Sequence, residues 1–191
     1  ARPADAGPIA YQTGDVIFHT SRSGQSSAIA WATKSLYTHC GIVRVYQGRT
    51  YVIEAAGPVR VVPLSAWVKR GRRGRFTVKR WPGLSTVQQN RIWRAAKTYL
   101  GRPDDSLFLF GNRASYCSEL VWLAYRAVGL ELGSVERADA LDINNVLVDA
   151  VLERRYRRHP SCKSAKSADA CREKLGAQTL VTPLSIADDA H

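Results

Sequence analysis

The 191-residue chain contains no methionine at all. A sequence without an initiator residue is expected to have lost a leader, and Ala1-Arg2-Pro3-Ala4-Asp5-Ala6-Gly7-Pro8 reads as a mature N-terminus leading into the fold. No apolar run approaches the roughly 20 residues that a membrane-spanning helix needs, so no transmembrane segment is expected. No CxxC or HxxxH pair occurs, which argues against a metal centre, and no cofactor is expected. Zinc-finger spacings and RNA-recognition signatures are also missing, so nucleic acid is not the expected partner. Acidic residues are scarce. Sixteen Asp and Glu face 28 Lys and Arg, for a net charge of +12 and a pI near 10. Such a charge attracts polyanions without naming one; an anionic membrane surface and an acidic cell-wall polymer are both candidates. The basic residues concentrate in Lys69-Arg70-Gly71-Arg72-Arg73-Gly74-Arg75 and in Arg154-Arg155-Tyr156-Arg157-Arg158. Each run reads as a solvated charged face.

What is present suffices for one well-cored domain, taken as residues 1–158, with a C-terminal extension over 159–191. Cys162 and Cys171 flank a short polar stretch in that extension and read as a local disulfide stabilising by about 2–3 kcal/mol. With the expected loss of a leader, this predicts a periplasmic or secreted protein. Cys40 and Cys117 lie in apolar patterns, and Cys40 reads as a buried small hydrophobe.

Turn residues and period-2 patterns predict short strands at 16–18, 38–45, 50–55, 59–62 and 75–80. Helical spacing predicts helices at 26–33, from Ser85 (with a capping box to Gln88) to Gly101, at 117–128 and at 142–156. The chain after 159 is polar and poorly periodic, except for Gln178 to Ile186.

Two segments carry chemistry. Tyr116-Cys117-Ser118-Glu119-Leu120-Val121-Trp122 places a thiol where an amphipathic helix begins, and Leu36-Tyr37-Thr38-His39-Cys40-Gly41-Ile42-Val43 places a histidine on an apolar strand. A thiol needs a base and a lowered pKa to act as a nucleophile. The helix N-terminus supplies partial positive charge, and the imidazole a proton acceptor. Backbone amides at that terminus can also hold an oxyanion. If Gln47-Gly48 is a two-residue turn, residues whose numbers sum to 95 lie opposite one another. His39 and Glu54 are then diagonal neighbours on one sheet face, and Glu54 can orient the imidazole. A three-residue turn would put Glu54 on the other face. His19, His159 and His191 lack a comparable pattern.

Several motifs occur in order: Gly14-Asp15-Val16-Ile17-Phe18, the run from Ser21 through Thr38-His39-x-Gly41-Ile42-Val43, Val52-Ile53-Glu54-Ala55, Gly101-x-Pro103-x-Asp105 and Tyr116-Cys117-Ser118-Glu119. As a set covering roughly residues 14–150, they resemble the YiiX/YebB-like branch of the circularly permuted NlpC-type papain-fold cysteine hydrolases. The resemblance implies an α+β fold: an antiparallel, partly barrel-like sheet packed with helices, the nucleophile at a helix N-terminus. It implies Cys117 as nucleophile, His39 as base and Glu54 as orienter. Tyr37, Tyr116, Ser118 and Asp15, which lie inside the motifs, are the candidate substrate-binding residues. Asp104 departs from the pattern, which usually has an aromatic there, and the tail lies outside it.

The expected activity is cleavage of amide bonds, in bacterial cell-wall peptides, through a thioester acyl-enzyme in a monomeric protein. Lipid-directed acyl hydrolysis or acyl transfer is the nearest alternative. A non-catalytic basic wall- or partner-binding domain is the second.

Overall fold

The computed structural model describes residues 10–159 and 162–189. The segment read as a mature N-terminus, Ala1 to Pro8, and His191 lie outside the described residues. Five strands form one antiparallel sheet: β1 (Val16–His19), β2 (His39–Tyr46), β3 (Arg49–Ala55), β4 (Val59–Pro63) and β5 (Thr77–Lys79). Their order is β4-β3-β2-β1-β5. The helices are α1 (Ser26–Ala32), α2 (Leu64–Lys69), α3 (Thr86–Lys97), α4 (Cys117–Arg126), α5 (Val146–Arg155), α6 (Ala168–Gly176) and α7 (Pro183–Asp189). A separate hairpin pairs β6 (Val135–Arg137) with β7 (Thr179–Val181).

Side chains alternate along the central strands, so each strand feeds two cores. Val16 and Phe18 of β1, Cys40 and Ile42 of β2, and Ile53 and Ala55 of β3 face α4, packing with Leu120, Val121 and Tyr125. The other face carries Ile17, Val43 and Val52, covered by Trp67 of α2. Both faces are therefore buried around β2, and the register is set by the turn that joins it to β3.

The β2–β3 connection is the two-residue turn. Tyr46 pairs with Arg49 and Ile42 with Ile53. Gln47 and Gly48 both have positive φ, 48° and 71°, as a primed turn matched to the strand twist requires. Gly41 has no room for a side chain. A Cβ there would lie 2.6 Å from Val52 Cγ1 and 2.7 Å from the Ile53 carbonyl oxygen. The capping box of α3 forms in both directions between Ser85 and Gln88. The helix ends at Lys97 and passes through a turn to Gly101, four residues short of the expected stop.

The segment beyond 158 is not an appendage. Leu180, Val181, Ile186 and Ala187 belong to the same core as α4, and β7 packs directly on α4. The apolar signal at Gln178 to Ile186 marked this segment; two strands as short as β6 and β7 carry too little alternation to be read alone. Cys162 and Cys171 are bonded, with Cα atoms 5.4 Å apart. Both are buried with Leu107, Leu109, Leu152 and Tyr156 in a satellite core that includes Leu175 of α6.

The cross-link therefore closes only the stretch leading into α6, while β7 and α7 are held by the main core. Reduction should cost about 2–3 kcal/mol of local stability. Hydrogen exchange under reducing conditions should quicken at Cys162–Gly176 and stay slow at β7 and α7. Equal loss of protection in β7 would mean that the disulfide holds the whole tail.

Candidate active site

Three elements converge. His39 is the first residue of β2, Glu54 lies near the end of β3, and Cys117 is the first residue of α4. His39 Nε2 lies 2.7 Å from Glu54 Oε2, and His39 also hydrogen-bonds Cys117. One ring nitrogen faces the carboxylate, which leaves Nδ1 for the thiol. The two-residue turn is what puts Glu54 on the His39 face.

Glu54 is fully buried and holds three partners. Besides His39, Arg60 Nε donates to Oε1 at 3.1 Å and Arg70 Nη2 at 2.5 Å. Burial alone would raise the carboxyl pKa. The hydrogen bond and charge of His39, with the charge of Arg70, instead bring it down to about 2. Arg70 belongs to the first basic run, which reads as a solvated face. One member of that run turns inward to neutralise a buried charge.

Burial by itself would lower the His39 pKa. Its hydrogen bonds to Cys117 and Glu54, and their negative charges, push it up to about 9. Cys117 is held well below the ordinary thiol range, chiefly by a hydrogen bond from Cys40; burial opposes this, and His39 adds to it. Burial, followed by that hydrogen bond, pushes the Cys40 thiol up. Both shifts favour the thiolate–imidazolium form of the pair. Cys40 is buried as expected, but it also reaches the reactive sulfur, because it packs in the core against α4.

Cys117 lines a cleft of about 490 Å3 that also touches Arg22, Arg70, Asp104 and Arg155. Arg155 comes from the second basic run and bonds Gln25. Asp104, the residue that departs from the pattern, stands in the cleft wall. Partial burial and the nearby Cys117 thiolate raise its carboxyl to about 6.

Of the candidate substrate-binding residues, Tyr116 lines this cleft; Tyr37, Ser118 and Asp15 are not among its lining residues. Asp15 is buried in an ion pair with Arg80, 2.7 Å from its Nε, and accepts from the Gln12 amide. Tyr37 packs on Phe18 and donates its hydroxyl to Thr77. Ser118 donates to the Val181 carbonyl at 2.8 Å, and the Val181 amide donates to the Tyr116 hydroxyl at 3.1 Å. Both neighbours of Cys117 are thereby tied to β7. Tyr116 and Ser118 thus help to fix Cys117 in place, while these contacts of Asp15 and Tyr37 involve none of Cys117, His39 and Glu54.

His19 stacks on Trp67 with ring centroids 3.9 Å apart. Burial and the charge of His39 lower its pKa to about 3, so it stays neutral. His159 lies 3.2 Å from Asp105. Asp105 also accepts from the amides of Leu107 and Leu109, shaping the loop that leads to α4.

Comparison with known proteins shows the family and the fold. Residues 10–186 match a family described as permuted papain-like amidase enzymes, YaeF/YiiX, C92 family. An uncharacterized protein YiiX of Escherichia coli (strain K12) is 42% identical over 147 residues, covering 76% of this chain and 73% of that protein. The crystal structure of a protein described as metalloprotein yiiX, from Escherichia coli O157:H7, superposes with a TM-score of 0.81 at 38% identity. That superposition covers 93% of this chain and 92% of the other. The family match runs past residue 150 and takes in β7, the strand that holds Tyr116 and Ser118.

Replacing Cys40 by Ala removes the main donor to the Cys117 sulfur. The variant should remain folded, at a cost of about 1 kcal/mol for the void. The acid limb of its pH–rate profile should move to higher pH, because a thiolate with one donor fewer needs a higher pH to form. An unmoved limb would show that Cys40 only fills space.

Proposed function

We propose that this chain, which belongs to the YaeF/YiiX family of permuted papain-like amidases, hydrolyses amide bonds by covalent catalysis at Cys117. The observation that carries the reading is the continuous set Cys117–His39–Glu54, with Glu54 buried and ionised. The Cys117 thiolate attacks the amide carbonyl, and an S–C bond forms. Backbone amides at the start of α4 face the developing oxyanion. His39 gives its proton to the departing amine as the C–N bond breaks, leaving a thioester. Now neutral, His39 takes a proton from water, whose oxygen attacks the thioester and frees the acid. Glu54 holds the ring and stabilises the imidazolium in both halves.

The structural relative is described as a metalloprotein. Among the described residues no group of three or more His, Cys, Asp or Glu is arranged to hold a metal ion. His39 commits its nitrogens to Glu54 and Cys117. The donor set does not fit a metal, and no step is routed through one.

Cell-wall peptides remain the substrate suggested by the NlpC-type resemblance and the basic surface. The expectation of an extracytoplasmic enzyme rests on the disulfide and on composition. No helix among the described residues is long and apolar enough to cross a membrane. The lipid-directed reading has a specific observation in its favour, an apolar cavity that reaches Cys117.

Cys117→Ala should abolish turnover without unfolding the protein. His39→Ala should be nearly as damaging. With wild type, a slowly released acyl group should appear by intact-mass spectrometry as an adduct on Cys117. Turnover should fall as pH rises through about 9, where His39 loses the proton it must donate. Glu54→Gln should be milder and should move that alkaline limb down, because the imidazolium loses its counter-charge. Unchanged activity in Cys117→Ala would end the reading.

A further inference from the structure

The cleft holds a second imidazole that the reaction does not use. His19 ends β1 and pairs directly with His39, the first residue of β2. Residues paired in this way project from one face of the sheet. Both rings therefore sit beside Trp67. The His19 and Trp67 ring centroids are 3.9 Å apart, and those of His19 and His39 are 5.3 Å apart. His19 is 2% exposed and lines the cleft together with His39 and Cys117.

The other buried polar side chains of the cleft wall are committed within the protein. Thr38 pairs with Ser26 and accepts from the Ser21 amide. His39 holds Glu54 and Cys117. The Tyr116 hydroxyl accepts from the Val181 amide. His19 differs: its Nδ1 is buried with no hydrogen-bond partner among the described residues. That nitrogen is pressed against Gly71, where a Cβ would lie 2.9 Å from it. Gly71 is not among the residues that line the cleft, so Nε2 is the nitrogen left to meet an occupant. Burial and the charge of His39 keep the ring neutral, so it carries one N–H and one lone pair. An unpaired buried nitrogen costs stability, and a phenyl ring would stack on Trp67 without that cost.

From this placement we propose that His19 is a substrate-binding residue, its ring hydrogen-bonding a second amide group that the amine portion of the substrate carries one residue beyond the scissile bond. The inference rests on the amidase reading and adds a specificity-determining residue to that same site.

The chemistry sets the direction. His39 gives its proton to the departing amine, so the scissile nitrogen lies beside His39. The amine portion continues from that nitrogen along the wall that holds His19. An extended chain advances about 3.3 Å per residue, which brings the next amide level with a ring centred 5.3 Å from that of His39. An amide offers both a donor and an acceptor, so it satisfies either tautomer of a neutral imidazole. A hydrocarbon in the same place leaves the ring unpaired.

The test compares two ligands with the same acyl group. N-acetylalanyl-alaninamide carries the second amide, and N-acetylalanyl-isopropylamide has a methyl group in its place. Each is titrated by NMR into the full disulfide-bonded chain carrying Cys117→Ala. The first should bind about fivefold more tightly, and only the first should move the ring-nitrogen resonances of His19. Adding His19→Phe should abolish the difference in affinity. Adding His19→Gln, whose amide still donates and accepts, should restore part of it. The ring signal is read with His19 intact, so it decides the matter even where a variant fails to fold. With Cys117 present, release of alaninamide should show a raised KM in His19→Phe. Equal affinity for the two ligands, a difference that survives His19→Phe, or no binding of either would overturn the role of His19; Cys117-dependent cleavage would still leave the amidase reading standing. An alkaline limb of the pH–rate profile that moves in His19→Phe, with the preference between ligands kept, would also overturn it, because His19 would then act through His39. His19-dependent binding with no cleavage of either ligand by the wild type would overturn the amidase reading and keep His19 as a binding residue.

Discussion

A carboxylate with no solvent exposure must be paired or give up its charge. Glu54 is such a group, and the site is arranged around the need to keep it ionised. Arg60 and Arg70 satisfy one of its oxygens and His39 the other. Three separate pieces of chain are fixed by this one group: the start of β2, strand β4 and the segment after α2. The result for chemistry is an imidazole ring held in one orientation with a raised proton affinity, beside Cys117. The bidding for Glu54 has two sides. The arginines guarantee its charge, and they also share it, so the pull on His39 is less than an isolated carboxylate would exert.

The sulfur is placed by a different set of forces. Tyr116 and Ser118, on either side of Cys117, are both bonded to the backbone of Val181. The start of α4 is therefore clamped between the sheet and a strand contributed some 60 residues later in the chain. Cys40 reaches it from the sheet and stabilises its ionised form. The sulfur thus lies between a polar cleft and an apolar cavity.

Much of this was legible in the sequence, for reasons that differ by residue. The hairpin register was legible only on the condition that Gln47-Gly48 forms a two-residue turn, which the pairing of Tyr46 with Arg49 bears out. The placement of His39 beside Glu54 followed from that register. The start of α4 at Cys117 followed from its helical periodicity. Arg70 was hidden because a basic run has no pattern to reveal which member turns inward. Val181 acts through its backbone, so no side-chain motif records it. Cys40 is hidden differently: it alternates away from His39 on the strand, and only the packing of α4 brings it to the sulfur. The two short strands of the tail owe their position to pairing with each other and to burial against α4. The cavity belongs to no single segment. It is the space left between α1, α5, α6 and β7, and no local pattern specifies such a space.

The central claim is that Cys117 rests as a thiolate because His39, anchored by Glu54, rests as an imidazolium. The pH dependence of iodoacetamide alkylation at Cys117, located by peptide mass spectrometry, tests it most directly. The account predicts fast labelling with a midpoint well below the ordinary thiol value of about 8.5, and a midpoint that moves up in His39→Ala. Slow labelling with an ordinary midpoint, unchanged by His39→Ala, would contradict it.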